Sequence, residues 1–323
     1  MRIEIIDDFD PKKIQISGQC FRVKETMPGV FRFITGEHVL YIKKAGDDNS
    51  VSASTLKQFD ISCTEKEWEE IWKPYFDMDR SYSEICKTEY GKHDFSDRAI
   101  DFGRGLRILK QDKWEMLISF IISQRKSIPA ISSAVEALCT KFGTRINVKG
   151  MDDFTSVQVD GKSVKGSCSV NNEHACEVTT SALNAEHAYV TDVVYAFPTP
   201  GQMANATLED LKECGLGYRA PYVYDAIRKV NSGELDLEKI DELEDEELFN
   251  ALMDVHGVGK KVSNCVCLFA YARMGRAPVD VWISRAIDEE FGGVNPFPEY
   301  GVNAGIIQQY IFYYEKNFPK MGD

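Results

Sequence analysis

"HGVGKKVSNC", residues 256–265, sets two glycines before two adjacent lysines and ends on a cysteine. Ahead of it "DEELFNALMDV" reads as an amphipathic helix, and after it "KKVSNCVCLFAYA" reads as a second one. Helix, Gly-x-Gly turn and helix together make a helix-hairpin-helix, with bare amides at the turn that can approach a phosphate closely. On the second helix Lys261 and Cys265 are four apart and share a face, whereas Lys260 shares its face with Asn264 about 100° away. Taken alone, the stretch is also compatible with a Gly turn followed by two solvated lysines.

The rest of the chain limits what the hairpin can serve. The 323 residues are 43% hydrophobic and 28% charged, the balance of a globular protein. No apolar run reaches the ~20 residues of a membrane span, and "MRIEIIDDFD" lacks the features of a signal peptide, so a cytosolic protein is expected. The nine scattered cysteines suggest reduced thiols. Cys168, His174, Cys176 and His187 have donor atoms for zinc but match no usual spacing, and no metal site is expected. A net charge of −13 argues against non-specific coating of nucleic acid but leaves room for a locally basic face. Much of the acid lies in "ELDLEKIDELEDEE" (234–247), whose nine carboxylates and one lysine read as a solvated stretch without chemistry.

Four short runs, "KIQIS", "CFRVKE", "VFRFIT" and "VLYIKK", predict strands in the first sixty residues. Helical signals follow. Thr64 and Glu67 form a capping-box pattern ahead of Trp68, Ile71, Trp72 and Tyr75. "KWEMLISFIIS" is apolar on nearly every face and predicts a buried central helix. Ser127 is placed as the N-cap of the next, with Pro129 in its first turn, and Thr207 as the cap of "LEDLKECG", closed by Gly215. Residues 148–190 interrupt the pattern, and "VQVDGKSV" within them carries the Asp-Gly signal of a hairpin. The predicted organisation is α+β: a β-rich N-terminal domain with flanking helices over 1–110, then a helical domain over 111–323 with an insertion at about 148–190.

Nineteen residues past Lys261, "APVDVW" supplies Asp280 just after a proline. "SGQCFR" (17–22), "FIIS" (120–123), "GLGYRA" (215–220), the hairpin with "PVD", and "AGIIQQYIF" (304–312) follow one another in the order of a known family. With them the chain resembles the HhH-GPD superfamily of DNA glycosylases, and within it the 8-oxoguanine DNA glycosylase/AP lyases. The resemblance covers almost the whole chain apart from the insertion. It implies an antiparallel sheet like half of a TATA-binding protein packed on an all-helical HhH-GPD domain.

The implied roles fall on particular residues. Lys261 attacks C1′ of the sugar and forms a Schiff base, and β-elimination of the 3′ phosphate follows, which makes the enzyme bifunctional. Burial and the positive end of the helix dipole disfavour the ammonium form that cannot attack. Asp280 stabilises positive charge on the sugar, and it also stands where an N-cap would. The flipped base is held by Cys265 and Phe312 as opposed walls, by Gln308 on its Watson–Crick edge, and by the Gly18 carbonyl, which bonds the N7 hydrogen that guanine lacks. Without the resemblance, Phe312 reads as core, Gln308 as surface and Gly18 as a glycine opening a strand. Tyr218 and Arg219 match the wedge and a contact to the opposite cytosine, although either alone reads as an ordinary helix-start residue. Gly257, Gly259, Lys260 and Trp282 are left to the DNA backbone.

Two departures stand out. In "SQRKSIPAI" Arg125 occupies the place of a leading Asn, and Ala130 that of an arginine, both readers of the opposite cytosine in the family. Weaker discrimination for cytosine opposite the lesion is therefore expected. Trp282 replaces a frequent histidine and cannot carry charge. The partner implied is duplex DNA containing 8-oxoguanine. A monovalent or divalent cation would bridge hairpin and phosphate, the chain would be a monomer, and no cofactor or membrane is involved. In a bacterium the expected location is the cytoplasm, at the nucleoid. The absence of a compact four-cysteine group argues against the iron–sulfur branch. A glycosylase for alkylated purines on the same fold, which does not need the lysine, and a non-catalytic hairpin module are the rival readings.

Overall fold

"VFRFIT" and "VLYIKK" alternate across a turn, and in the computed structural model they pair as the centre of one antiparallel sheet. Residues 1–46, 57–148 and 193–318 are described, together with the strand backbones at 156–159 and 162–165. The sheet contains β1 (Arg2–Ile5), β2 (Lys24–Met27), β3 (Val30–Thr35), β4 (His38–Lys44) and β5 (Lys57–Ile61), in the order β1-β5-β4-β3-β2. Phe33, Leu40, Ile42, Phe59 and Ile61 are buried on it, and the Phe33 ring meets Phe76 edge-on at 5.0 Å. Thr64 and Glu67 make the expected reciprocal cap. The helical segment after them widens into a π turn over Trp68–Trp72, which the apolar spacing does not foretell.

One expected strand is a helix. "KIQIS" lies in α1 (Pro11–Ile16), because Asp10 accepts from the amides of Lys12 and Lys13 and Pro11 starts the first turn with its φ already set. "CFRVKE" contributes only its last two residues to β2.

The helices that carry the site are α2 (Asp94–Gly103), α3 (Lys113–Ser123), α4 (Ile128–Phe142), α5 (Ala220–Asn231), α6 (Asp245–Met253), α7 (Lys260–Phe269), α8 (Val281–Glu290) and α9 (Ala304–Asn317). As its composition predicts, α3 is buried from Trp114 to Ile122, and its Phe120 stacks on Phe269 of α7 at 5.4 Å. Ser127 is the N-cap of α4 by position but makes no side-chain cap bond. Thr207 caps its helix through the Asp210 amide, and Gly215 follows with φ +77°. α9 lies along α2 so closely that a Cβ on Gly103 would come within 2.6 Å of the Tyr310 ring.

At the insertion, Arg145–Ile146 pairs with Val194–Tyr195, and Ser156–Val159 pairs with Lys162–Lys165 in the register a two-residue Asp-Gly turn demands. Cys168, His174, Cys176 and His187 lie outside the described residues. The seven described cysteines are free and buried. Among the described residues no cluster of three His, Cys, Asp or Glu could hold a metal ion, and no helix is long and apolar enough to cross a membrane.

Candidate active site

The two lysines part as the helical register requires. Gly259 is the N-cap of α7, with Lys260 exposed and Lys261 half-buried beside α3, its ammonium 5.1 Å from the centre of the Phe120 ring. One turn on, Cys265 is 3% exposed. Burial pushes its thiol pKa up, against the ammonium and hydrogen bond of Lys261, and the Asp280 carboxylate adds to the rise. The thiol therefore stays protonated and offers an apolar wall, standing in the field of both the lysine and the aspartate.

Asp280 is the N-cap of α8. Its Oδ1 accepts from the amides of Trp282 and Ile283, both at 3.0 Å, so the cap holds one oxygen and leaves Oδ2 uncommitted by it. Asp280 is both cap and candidate electrostatic group, as its place in the sequence allows.

The opposite side of the site is contributed by the two ends of the chain. Gly18 has φ +77°, and a Cβ there would lie 3.2 Å from both Phe312 and Ile128. Glycine is thus demanded by backbone and space together. Gly18 is held by its neighbour: buried Gln19 donates to the Arg107 carbonyl at 2.8 Å and accepts from the Leu109 amide at 2.7 Å. The Gln19 carbonyl in turn accepts from Gln111, whose own amide bonds the carbonyl of Phe269 at the end of α7. A chain of hydrogen bonds therefore ties the Gly18 segment, a bend after α1 and not the opening of a strand, to the lysine helix. Gln308, 2% exposed, and half-buried Phe312 lie one turn apart on α9, and the Gln308 side-chain oxygen accepts from Gln309 at 3.3 Å. The core expected for Phe312 and the surface expected for Gln308 in isolation are replaced by one inward-facing stripe.

The hairpin accounts for its two glycines differently. Gly257 has φ +82°, and a Cβ would fall 2.4 Å from the Tyr222 ring, so the protein's own packing requires it. Gly259 is extended and a Cβ there would meet open space. Its bareness serves nothing inside the protein, which leaves approach from outside.

Beside the hairpin, Tyr218 is exposed, and Tyr222 and His256 continue an aromatic row with ring centres 6.2 and 4.8 Å apart. Arg219 is 5% exposed and turned inward. Its Nε donates to the Gln124 carbonyl at 2.8 Å, a second donor bonds the same oxygen, and its guanidinium covers Tyr218 at 4.3 Å. Arg125 is exposed with φ +52°, a left-handed backbone that costs a non-glycine residue roughly 1–2 kcal/mol. Ala130 is exposed on the first turn of α4. Trp282 is 36% exposed and carries Arg285 over its ring at 4.8 Å, while Arg285 pairs with Glu315 at 2.7 Å. A cation thus stands one turn beyond the position where histidine is missing.

Gln19 and Gln124 escaped the sequence reading. Gln124 donates to the carbonyls of Ile121 and Gly257, both at 3.1 Å, and joins the end of α3 to the hairpin and to Arg219. Neither has a signal in spacing, because a glutamine's partners are set by the fold.

Residues 118–299 match the family model of the HhH-GPD superfamily of base excision DNA repair proteins. The chain belongs to that superfamily. Residues 3–117 match the N-terminal domain of 8-oxoguanine DNA glycosylase, which makes this an 8-oxoguanine-glycosylase-type HhH-GPD chain. An 8-oxoguanine glycosylase/lyase from Clostridium acetobutylicum, in its apo-form, is 30% identical with a TM-score of 0.75, covering 95% of this chain and 93% of that one. The same enzyme bound to duplex DNA with cytosine opposite 8-oxoG gives 29% and 0.76, over 98% and 97%. An N-glycosylase/DNA lyase of Saccharomyces cerevisiae is 26% identical over 76% of this chain and 53% of its own length. A probable N-glycosylase/DNA lyase of Methanothermobacter thermautotrophicus is 28% identical over 66% and 64%. The HhH-GPD chain thus spans between half and two thirds of the curated relatives it matches.

Proposed function

We propose that this protein flips 8-oxoguanine out of duplex DNA, excises it and cleaves the strand. The reading rests on one observation: a half-buried lysine at a hairpin helix stands with a capped aspartate and a buried thiol, in a site whose other side is Gly18 and Phe312. The neutral Lys261 amine attacks C1′ and the glycosidic bond breaks. The departing base takes the electron pair and acquires a proton, while Asp280 stabilises the positive charge that builds on the sugar. Loss of the amine proton and opening of the sugar leave a Schiff base on Lys261. Removal of a 2′ hydrogen then expels the 3′ phosphate by β-elimination.

The Gly18 carbonyl separates lesion from guanine, because a carbonyl set against the N7 lone pair is left unpaired and costs roughly 1–3 kcal/mol. The hairpin amides past Gly257 and Gly259, with Lys260 and the Trp282–Arg285 pair, take the backbone. A monovalent or divalent cation between hairpin and phosphate would rest on backbone carbonyls, since no side-chain cluster for a metal stands there among the described residues. We read the protein as acting as a monomer and, in a bacterium, in the cytoplasm at the nucleoid.

The test is borohydride trapping on duplexes with 8-oxoguanine opposite each of the four bases, using Lys261→Gln and Lys260→Gln. An adduct lost only in Lys261→Gln is expected. Base release without an adduct in the wild type would make the alkylpurine reading the better one, and neither adduct nor release would leave a binding module.

A further inference from the structure

The inward stripe of α9 extends one turn past Phe312. Lys316 stands four residues beyond Phe312 and eight beyond Gln308, so the three share a face. Its ammonium donates to the Ile16 carbonyl at 3.4 Å and lies 5.8 Å from the centre of the Phe312 ring. Ile16 ends α1, two residues before Gly18, the carbonyl assigned above to lesion reading. Lys316 is half-buried, and desolvation lowers its pKa while the carboxylate of Asp280 works to raise it. Asp280, the N-cap of α8, thus acts on Lys316 of α9 and on Cys265 of α7. A solvated terminal lysine has no reason to be drawn over an aromatic wall towards a backbone carbonyl.

We infer that Lys316 is a positioning residue of the excision step: its ammonium, on the Ile16 carbonyl and over the Phe312 ring, pins the Gly18 segment to α9 and adds a positive charge on the Asp280 side of the site. The inference rests on the excision reading proposed above. Lys316 does not attack; Lys261 does. A charge-assisted hydrogen bond and an adjacent counter-charge together suggest an effect of roughly tenfold on rate.

Single-turnover excision from an 8-oxoguanine duplex is followed against pH in wild type, Lys316→Gln and Lys316→Arg. Borohydride trapping on a duplex with a preformed abasic site and thermal unfolding are measured alongside. Lys316→Gln is expected to fold, to excise about tenfold more slowly with the acid limb of its rate profile moved to higher pH, and still to be trapped through Lys261. Lys316→Arg restores rate and limb, which a merely structural role for the side chain's bulk would not explain. A folded Lys316→Gln with wild-type rate and limb overturns the inference. So does loss of trapping in that variant with retention in Lys261→Gln, which would make Lys316 the nucleophile. Should Lys316→Gln fail to fold, the arginine variant decides, and a displaced acid limb in it overturns the proposal. Wild-type protein that releases no 8-oxoguanine is the separate failure of the excision reading, and the inference falls with it.

Discussion

The two sides of the candidate site are built to different standards. On the side proposed to take the lesion four groups are held: Gly18 through the Gln19 bonds, Asp280 by its own cap, Cys265 and Gln308 by burial. On the opposite-strand side Arg125 is exposed in a left-handed backbone, Tyr218 is exposed and its hydroxyl donates to the Gln124 carbonyl at 3.4 Å, and Arg219 uses its donors on that same carbonyl of its own chain. A site with its groups held before binding loses nothing on assembly, whereas one that must break internal bonds gives part of each new contact back. On the proposed reading, the contrast teaches that chemistry and lesion choice are prepared in advance, and choice of the opposite base is not.

Replacing Lys261 is the most direct way to break that contrast. Lys261→Gln should abolish covalent trapping and lower strand cleavage by roughly a thousandfold or more, with Lys260→Gln near wild type in a gel-based cleavage assay. Equal losses in both would mean that the half-burial of Lys261 has no chemical meaning.

Asp280 separates its two duties next. Asn caps a helix about as well as Asp, so Asp280→Asn should keep the melting temperature and lose about a hundredfold or more in excision rate. Asp280→Ala should lose both, with about 0.5–2 kcal/mol of stability gone with the cap. A fully active Asn variant would reduce Asp280 to a cap.

The opposite-strand side should respond weakly. Excision rates with the four bases opposite the lesion are expected to lie within about tenfold of one another, since a well-made base contact discriminates by roughly 1–3 kcal/mol and Arg219 begins engaged elsewhere. Arg125→Ala should change them by less than that. A strong preference for cytosine, lost in Arg219→Ala, would show that Arg219 leaves the Gln124 carbonyl readily.

The smallest effect expected is one of pH on stability, at the junction behind Gly18. Burial raises the Glu115 carboxyl from its usual range to about 7, against the attraction of Arg22 at 3.9 Å. The folded state therefore holds this proton more tightly than the unfolded chain. Glu115 contributes stability that is fully present below its unfolded pKa of about 4.3 and is lost as pH rises towards 7. Urea midpoints should fall across that window in wild type and flatten in Glu115→Gln. Unchanged dependence in the variant would place the proton elsewhere.

Placing residues on a common face from the sequence worked where one helix carries both partners. Lys261 and Cys265, Gln308 and Phe312, the caps at Thr64 and Thr207, and the buried run of α3 all depend on spacing within a single element, and spacing is visible in a string. It failed where a short segment had two local solutions. "KIQIS" alternates like a strand, yet Asp10 and Pro11 begin a helix at the same place. Lys316 was open to the same i, i+4 argument as Phe312, but near the end of the chain a lysine carries no sign of burial.

Local chemistry in the chain therefore settled the helix-hairpin-helix, which of its two lysines turns inward and the kind of fold around them, because hydrogen-bonding periods and glycine conformations act over a few residues. What the string could not hold is that Gly18 meets Phe312 across 294 residues of chain, that Gln19 and Gln124 are the joints of the site, and that Arg219 turns inward. Those depend on which carbonyls and rings are brought within a few ångströms once the core has closed, and hydrogen bonds and packing act only at that range.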